Sequence, residues 1–155
     1  MSKIIMMCGI PGSGKSTFCH KHFQDYIYIS RDQIRFSLLN DSDSYFAKED
    51  EVMKKFLEKI NFCIQWGKDF VIDATHLTKS SRRKILSQLT LPPLHFANDI
   101  YCIYMKTDLK LALERNNKRT GRKLVPEKVI KNMYANLEEP ELDEGFEKII
   151  TIEER

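Results

Sequence analysis

Several things are scarce in this sequence. Tryptophan occurs once, proline five times and glycine six times in 155 residues. Those counts exclude a collagen repeat and a Pro/Gly-rich disordered chain. The four cysteines, Cys8, Cys19, Cys63 and Cys102, include no Cys-x-x-Cys pair, and His20, His22, His76 and His95 stand at no ligand-like spacing from them. A disulfide scaffold and a zinc site are therefore not expected; buried free thiols in a reducing cytoplasm are. No apolar run approaches the roughly 18 residues that span a bilayer, and the stretch ahead of Gly9 is too short for a secretory leader. The expectation is a cytoplasmic chain with no membrane partner.

What is present suits one globular domain over residues 1–155, with 42% hydrophobic and 30% charged residues. The net charge of +3 hides a strong segregation. Lys79, Arg82, Arg83 and Lys84 form one basic cluster. Arg115, Lys118, Arg119, Arg122 and Lys123 form a second. Residues 138–147 hold six acids and no base. Local positive potential can thus be high while the total stays small.

Hydrophobic patterning alternates strands with helices. Ile4–Cys8, Tyr26–Ile29, Phe70–Ile72, Ile100–Met105 and Lys148–Ile152 read as short apolar strands. Helices are expected at Lys15–Gln24, Asp32–Leu39, Tyr45–Trp66, Thr78–Leu89, from an Asp108 cap through Asn116, and from Pro126 onward. Leu91-Pro92-Pro93 should break the fourth of these. This alternation predicts an α/β fold: a parallel, mostly five-stranded sheet with helices on both faces and ligands at the carboxyl ends of the strands.

Gly9-Ile-Pro-Gly-Ser-Gly-Lys-Ser16 fits G-x-x-x-x-G-K-[ST], between a predicted strand and a predicted helix. Gly9, Gly12 and Gly14 let successive N–H groups turn toward anionic oxygens, with Pro11 and Ser13 completing the loop. The helix N-terminus adds positive potential. Lys15 is expected on the β- and γ-phosphates, Ser16 on Mg²⁺ and Thr17 on the α-phosphate. No Asn-Lys-x-Asp guanine reader follows, which excludes a switch GTPase.

The second strand leads into Asp32 and Arg35, three apart and so on one helix face. Asp32 can accept a proton from an attacking hydroxyl, and Arg35 can hold an anionic group on the acceptor. The alternative is an N-capping Asp32 with a surface ion pair. Asp73, ending the third strand, is a candidate Mg²⁺ partner or a turn residue, and His76 after it reads as an exposed loop histidine. Residues 115–125 form a basic, glycine-bearing segment suited to a lid, with Arg115 and Arg119 reaching the phosphates, or else a solvated loop.

Three stretches together resemble the kinase module of bacteriophage-type polynucleotide 5′-kinases: Gly9–Thr17, Ile29–Arg35, and Arg115–Arg119 leading to Val125-Pro126 and Val129–Tyr134. The resemblance implies a P-loop kinase that moves phosphate from ATP, with Mg²⁺, to the 5′-hydroxyl of DNA or RNA in end repair. It implies Lys15, Asp32 and Arg119 as catalytic residues, Asp32 being the base and Arg119 the transition-state arginine. It assigns Arg35 to the acceptor's 3′-phosphate. Asp73, Thr75 and Arg82 are further candidate acceptor contacts. Where that family often has Asp-Thr-Asn, this sequence has Asp73-Ala74-Thr75-His76. The family's phosphatase domain has no counterpart before Arg155, so 3′-end processing is not expected. A kinase for a sugar, nucleoside or antibiotic shares every donor-side residue. A nucleotide-dependent binding module is the remaining alternative.

Overall fold

The computed structural model describes residues 2–89 and 99–155. The strands are β1 (Lys3–Cys8), β2 (Ile27–Ser30), β3 (Phe70–Asp73), β4 (Asp99–Thr107) and β5 (Lys148–Glu154). They form a parallel sheet of order β2-β3-β1-β4-β5, so the strand feeding the glycine motif lies at the centre. The helices are α1 (Lys15–His22), α2 (Arg31–Leu38), α3 (Glu49–Gln65), α4 (Lys79–Leu89), α5 (Leu109–Asn117) and α6 (Glu127–Asn136).

Alternation along β1 explains the layering. Ile4, Met6 and Cys8 face one way, into a core with Val52, Phe56 and Ile60 of α3 and Ile85 and Leu89 of α4. Ile5 and Met7 face the other way, against Phe18 and Cys19 of α1. A third cluster forms at the carboxyl edge, where Ile10 of the glycine motif is buried with Ala112 of α5 and Ile130 of α6. All four cysteines are free and buried. Among the described residues, no helix is long and apolar enough to cross a membrane.

The expected elements are present, with shifted ends. α3 starts at Glu49 instead of Tyr45. Residues 40–47 turn instead, through Asp43 N–H to the Asn40 carbonyl (3.0 Å) and Ala47 N–H to the Ser44 carbonyl (3.1 Å). Glu49, Asp50 and Glu51 then supply the negative charge a helix start favours. Ser30, not Asp32, caps α2, accepting the Gln33 N–H at 3.2 Å. Asp108 precedes α5 but its side chain makes no capping bond; its backbone N–H donates to the Glu154 carbonyl at 3.0 Å. The expected break at Leu91-Pro92-Pro93 lies outside the described residues. Two short 3-10 turns, Gly121–Lys123 and Leu142–Glu144, had no sequence signal.

Candidate active site

The carboxyl edge of the sheet collects the glycine loop after β1, the start of α2 after β2, Asp73 at the end of β3 and the start of α5 after β4. Glycine is required at more than one point of the loop. Gly12 has φ +83°, and a Cβ there would lie 2.4 Å from the Ala112 carbonyl oxygen. Gly14 has φ +89° at the N-cap of α1. The loop is held from three sides. Gly9 N–H donates to the Thr75 carbonyl at 3.0 Å. The Thr107 hydroxyl donates to the Ser13 carbonyl at 3.2 Å, and Arg115 Nη1 to the Gly12 carbonyl at 3.4 Å. Arg115 is fixed in turn by an ion pair with Glu154.

The first turn of α1 carries no acid, so nothing on the helix itself offsets the positive end of its dipole. Lys15 Nζ donates to the carbonyls of Gly9 (2.9 Å) and Ile10 (3.0 Å). Burial lowers the Lys15 pKa, while the carboxylates of Asp73 and Asp32 and the Cys8 thiol act in the opposite direction. The Arg119 charge works with burial, which puts this arginine within electrostatic reach of Lys15. Thr17 and Arg119 are exposed, and Pro11 is half-buried.

Ser16 Oγ donates to Asp73 Oδ2 at 2.9 Å. The Tyr28 hydroxyl also donates to Asp73 Oδ2 and lies 3.3 Å from Ser16 Oγ. Burial, then the Asp73 charge, raises the Tyr28 pKa, so this phenol stays a neutral donor. A hydroxyl beside a carboxylate is an oxygen donor set that suits a hard cation such as Mg²⁺, which takes its other ligands from water and phosphates. Among the described residues, no cluster of three acidic, His or Cys groups that could hold a metal is present. Tyr28 was not anticipated; its strand position gives no sign that its hydroxyl reaches Asp73.

Asp32 stands on α2 with its side chain 61% exposed. Arg35 Nη1 pairs with its Oδ1, and the Tyr45 hydroxyl donates to the same oxygen at 2.8 Å. Arg35 itself is only 6% exposed: Nε and Nη2 clamp Glu49 at 2.6 and 3.1 Å, and Nη1 also reaches the Tyr45 hydroxyl at 2.9 Å. Among the described residues, four of its five N–H donors are therefore engaged. The side chain orients Asp32 and holds Glu49. Glu49 and Tyr45 had no motif to reveal them.

Two expectations are corrected. Arg82 is fully buried, not an acceptor contact. Its Nε and Nη2 pair with Glu144 (2.8 and 3.2 Å), Nη1 donates to the His76 carbonyl (2.8 Å) and the Cys8 sulfur (3.8 Å), and Nη2 also donates to the Glu139 carbonyl (3.5 Å). It ties the acidic segment to the root of the glycine loop. His76 is buried, not exposed. Its φ is +45°. Nδ1 meets the Met7 carbonyl at 2.6 Å, which makes Nδ1 the protonated nitrogen. Nε2 has no hydrogen-bond partner among the described residues. Burial pushes the His76 pKa down to about 4, and the charges of Arg31, Lys15 and Arg82 act the same way. Thr75 touches the loop through its carbonyl.

The basic segment is closed at its base by Asn116, which is fully buried. Its Nδ2 donates to the Val125 carbonyl (2.6 Å) and its Oδ1 accepts the Val125 N–H (3.0 Å). From this segment, Arg122 donates to the Asn40 carbonyl after α2, so the basic and Asp32 sides touch.

A glycine loop at the centre of five parallel strands, running into a helix and facing a hydroxyl–carboxylate pair, defines a P-loop kinase-like fold. More narrowly, the chain belongs to the AAA domain family AAA_33, whose sequence model matches residues 4–140. It is 27% identical over 145 residues to an Autographa californica nuclear polyhedrosis virus protein assigned as a bifunctional polynucleotide kinase/RNA ligase, covering 85% of this chain and 20% of that one. It is 29% identical over 154 residues to the L-seryl-tRNA(Sec) kinase of Methanococcus maripaludis, covering 88% of this chain and 53% of that one. The chain thus spans about one fifth and about half of these relatives. Among solved structures, a chain of the Pnkp1/Rnl/Hen1 RNA repair complex superposes with a TM-score of 0.74 at 24% identity, covering 88% of this chain and 44% of that one. A sugar kinase from Janibacter sp. HTCC2649 superposes at 0.67 and 18%, covering 99% and 85%. Both curated relatives are kinases, and the chain's own glycine loop is of the nucleotide-binding P-loop class.

Proposed function

We propose that this protein transfers the γ-phosphate of ATP to the 5′-hydroxyl end of DNA or RNA. The observation that carries the reading is the exposed Asp32 carboxylate, held by Arg35 and Tyr45 at the same sheet edge as the phosphate loop. A pure nucleotide binder has no use for a base oriented in this way. The polynucleotide kinase and tRNA kinase relatives support a nucleic-acid acceptor.

In this reading the loop amides of residues 9–17 and Lys15 hold the triphosphate, and Ser16 with Asp73 would hold Mg²⁺. The ion supplies charge neutralisation across the phosphates. Asp32 takes the proton of the acceptor hydroxyl as its oxygen bonds to the γ-phosphorus. The bond to the β–γ bridging oxygen breaks, and ADP leaves with that electron pair. Arg119, brought over by the basic segment, offsets charge on the moving phosphoryl group. The test is transfer of labelled γ-phosphate to a 5′-hydroxyl oligonucleotide beside a panel of sugars and nucleosides. Labelling of the oligonucleotide is expected. Labelling of a sugar alone would replace this reading with a small-molecule kinase.

A further inference from the structure

The turn between α2 and α3 places two aromatic rings, Tyr45 and Phe46, against Arg35, and Phe36 of α2 backs the first of them. Tyr45 lies 4.5 Å above the Arg35 guanidinium and bonds Asp32 through its hydroxyl. Phe36 meets Tyr45 edge-on at 6.2 Å. Phe46 meets Tyr45 edge-on at 4.7 Å and lies 5.8 Å from the guanidinium carbon, yet it is 58% exposed. A large apolar ring held at a fixed angle and left in water, one residue from a side chain that orients the base, needs a reason. Folding does not supply it, because Phe46 buries little.

We propose that Tyr45 and Phe46 form a stacking platform for the nucleobase of the acceptor's terminal nucleotide, with Phe46 contacting the base face. The proposal rests on the polynucleotide reading and names how that site selects its substrate. A terminal nucleoside with its hydroxyl at Asp32 carries its base sideways from the sugar, and Phe46 is the exposed ring next to the Asp32 tether. Base–aromatic stacking is tolerant of sequence, since every base has a π-face. The cation below Tyr45 stiffens the platform. Arg35 is held by Glu49, Asp32 and Tyr45, and stacking gives this surface a grip on an acceptor that does not depend on that guanidinium. A sugar or another acceptor without a base gains nothing from it.

The experiment compares kcat/KM for two oligonucleotides that differ only in whether the 5′-terminal sugar bears a base. Stacking of about 1–3 kcal/mol predicts a preference of about 5- to 150-fold for the base-bearing end in the unaltered protein. Phe46→Ala should bring that ratio close to one, and Phe46→Trp should keep it. Trp66→Ala, which removes another exposed ring at the far end of α3, should leave the ratio alone. In parallel, a terminal 2-aminopurine should lose fluorescence on binding to the unaltered protein and not to Phe46→Ala. An unaltered-protein ratio near one, or a ratio indifferent to Phe46→Ala, overturns the platform while transfer to polynucleotides stands. Absence of transfer to any 5′-hydroxyl oligonucleotide, with transfer to a small acceptor, overturns the underlying reading as well.

Discussion

Asp32 and His76 are both polar groups near the carboxyl edge of the sheet, but the fold gives water to one and withholds it from the other. Asp32 keeps its exposure and gains two donors that orient its carboxylate, as the proposed base requires. Asp32→Asn is expected to keep ATP affinity and lower transfer by about 10²–10⁴-fold, checked by single-turnover rates beside nucleotide titration. Arg119→Ala should lower kcat more than it raises the acceptor KM, and Lys should rescue it poorly, because a point charge does not replace a planar fork. His76 behaves in the opposite way. Its folded pKa of about 4 lies below the ordinary value of 6.5, so between those pH values the unfolded chain binds a proton that the folded one refuses. Stability from this group is complete above about pH 6.5 and falls as pH drops toward 4, by up to about 3 kcal/mol. Urea unfolding across that window should show a loss that His76→Gln lacks. Parallel pH profiles for the two proteins would remove His76 from the account.

Among the elements, the phosphate loop was the most legible, because everything it needs lies in one local segment between β1 and α1. The helix and strand order could be read for the same reason, from periodicity within each stretch. The parts misread are those whose meaning depends on distant partners. Arg82 sits in a basic cluster that looks solvated, and its true partner Glu144 is 62 residues away in an acid run that looks equally solvated. Arg35 stands beside Asp32 in sequence, and its other carboxylate partner, Glu49, lies 14 residues on with no local sign of it. Nothing in the local pattern tells which way a guanidinium turns. The Arg82–Glu144 pair carries its own expectation. Breaking a buried pair strands a charge, so Arg82→Met should cost about 3–5 kcal/mol, and Arg82→Met with Glu144→Leu together should cost less than Arg82→Met alone. Denaturant midpoints measure this. A normal stability with a raised acceptor KM would return Arg82 to the substrate side.

At the scale of the whole molecule, the site exists only where separate units meet. The central strand pairs Ile4 with Phe70 on one side and with Ile100 on the other. The loop that follows is fastened by Thr107, 94 residues from Ser13, and by Arg115, 103 residues from Gly12. Each fastening closes a long stretch of chain, and loop closure is unfavourable until the contact forms. Refolding should therefore fall on the slow, nonlocal side of the range for domains of this size, in milliseconds or longer. A ribosome producing this chain makes residues 9–17 roughly a hundred residues before their last anchor, so the nascent loop should grip no nucleotide until Arg115 has cleared the exit tunnel.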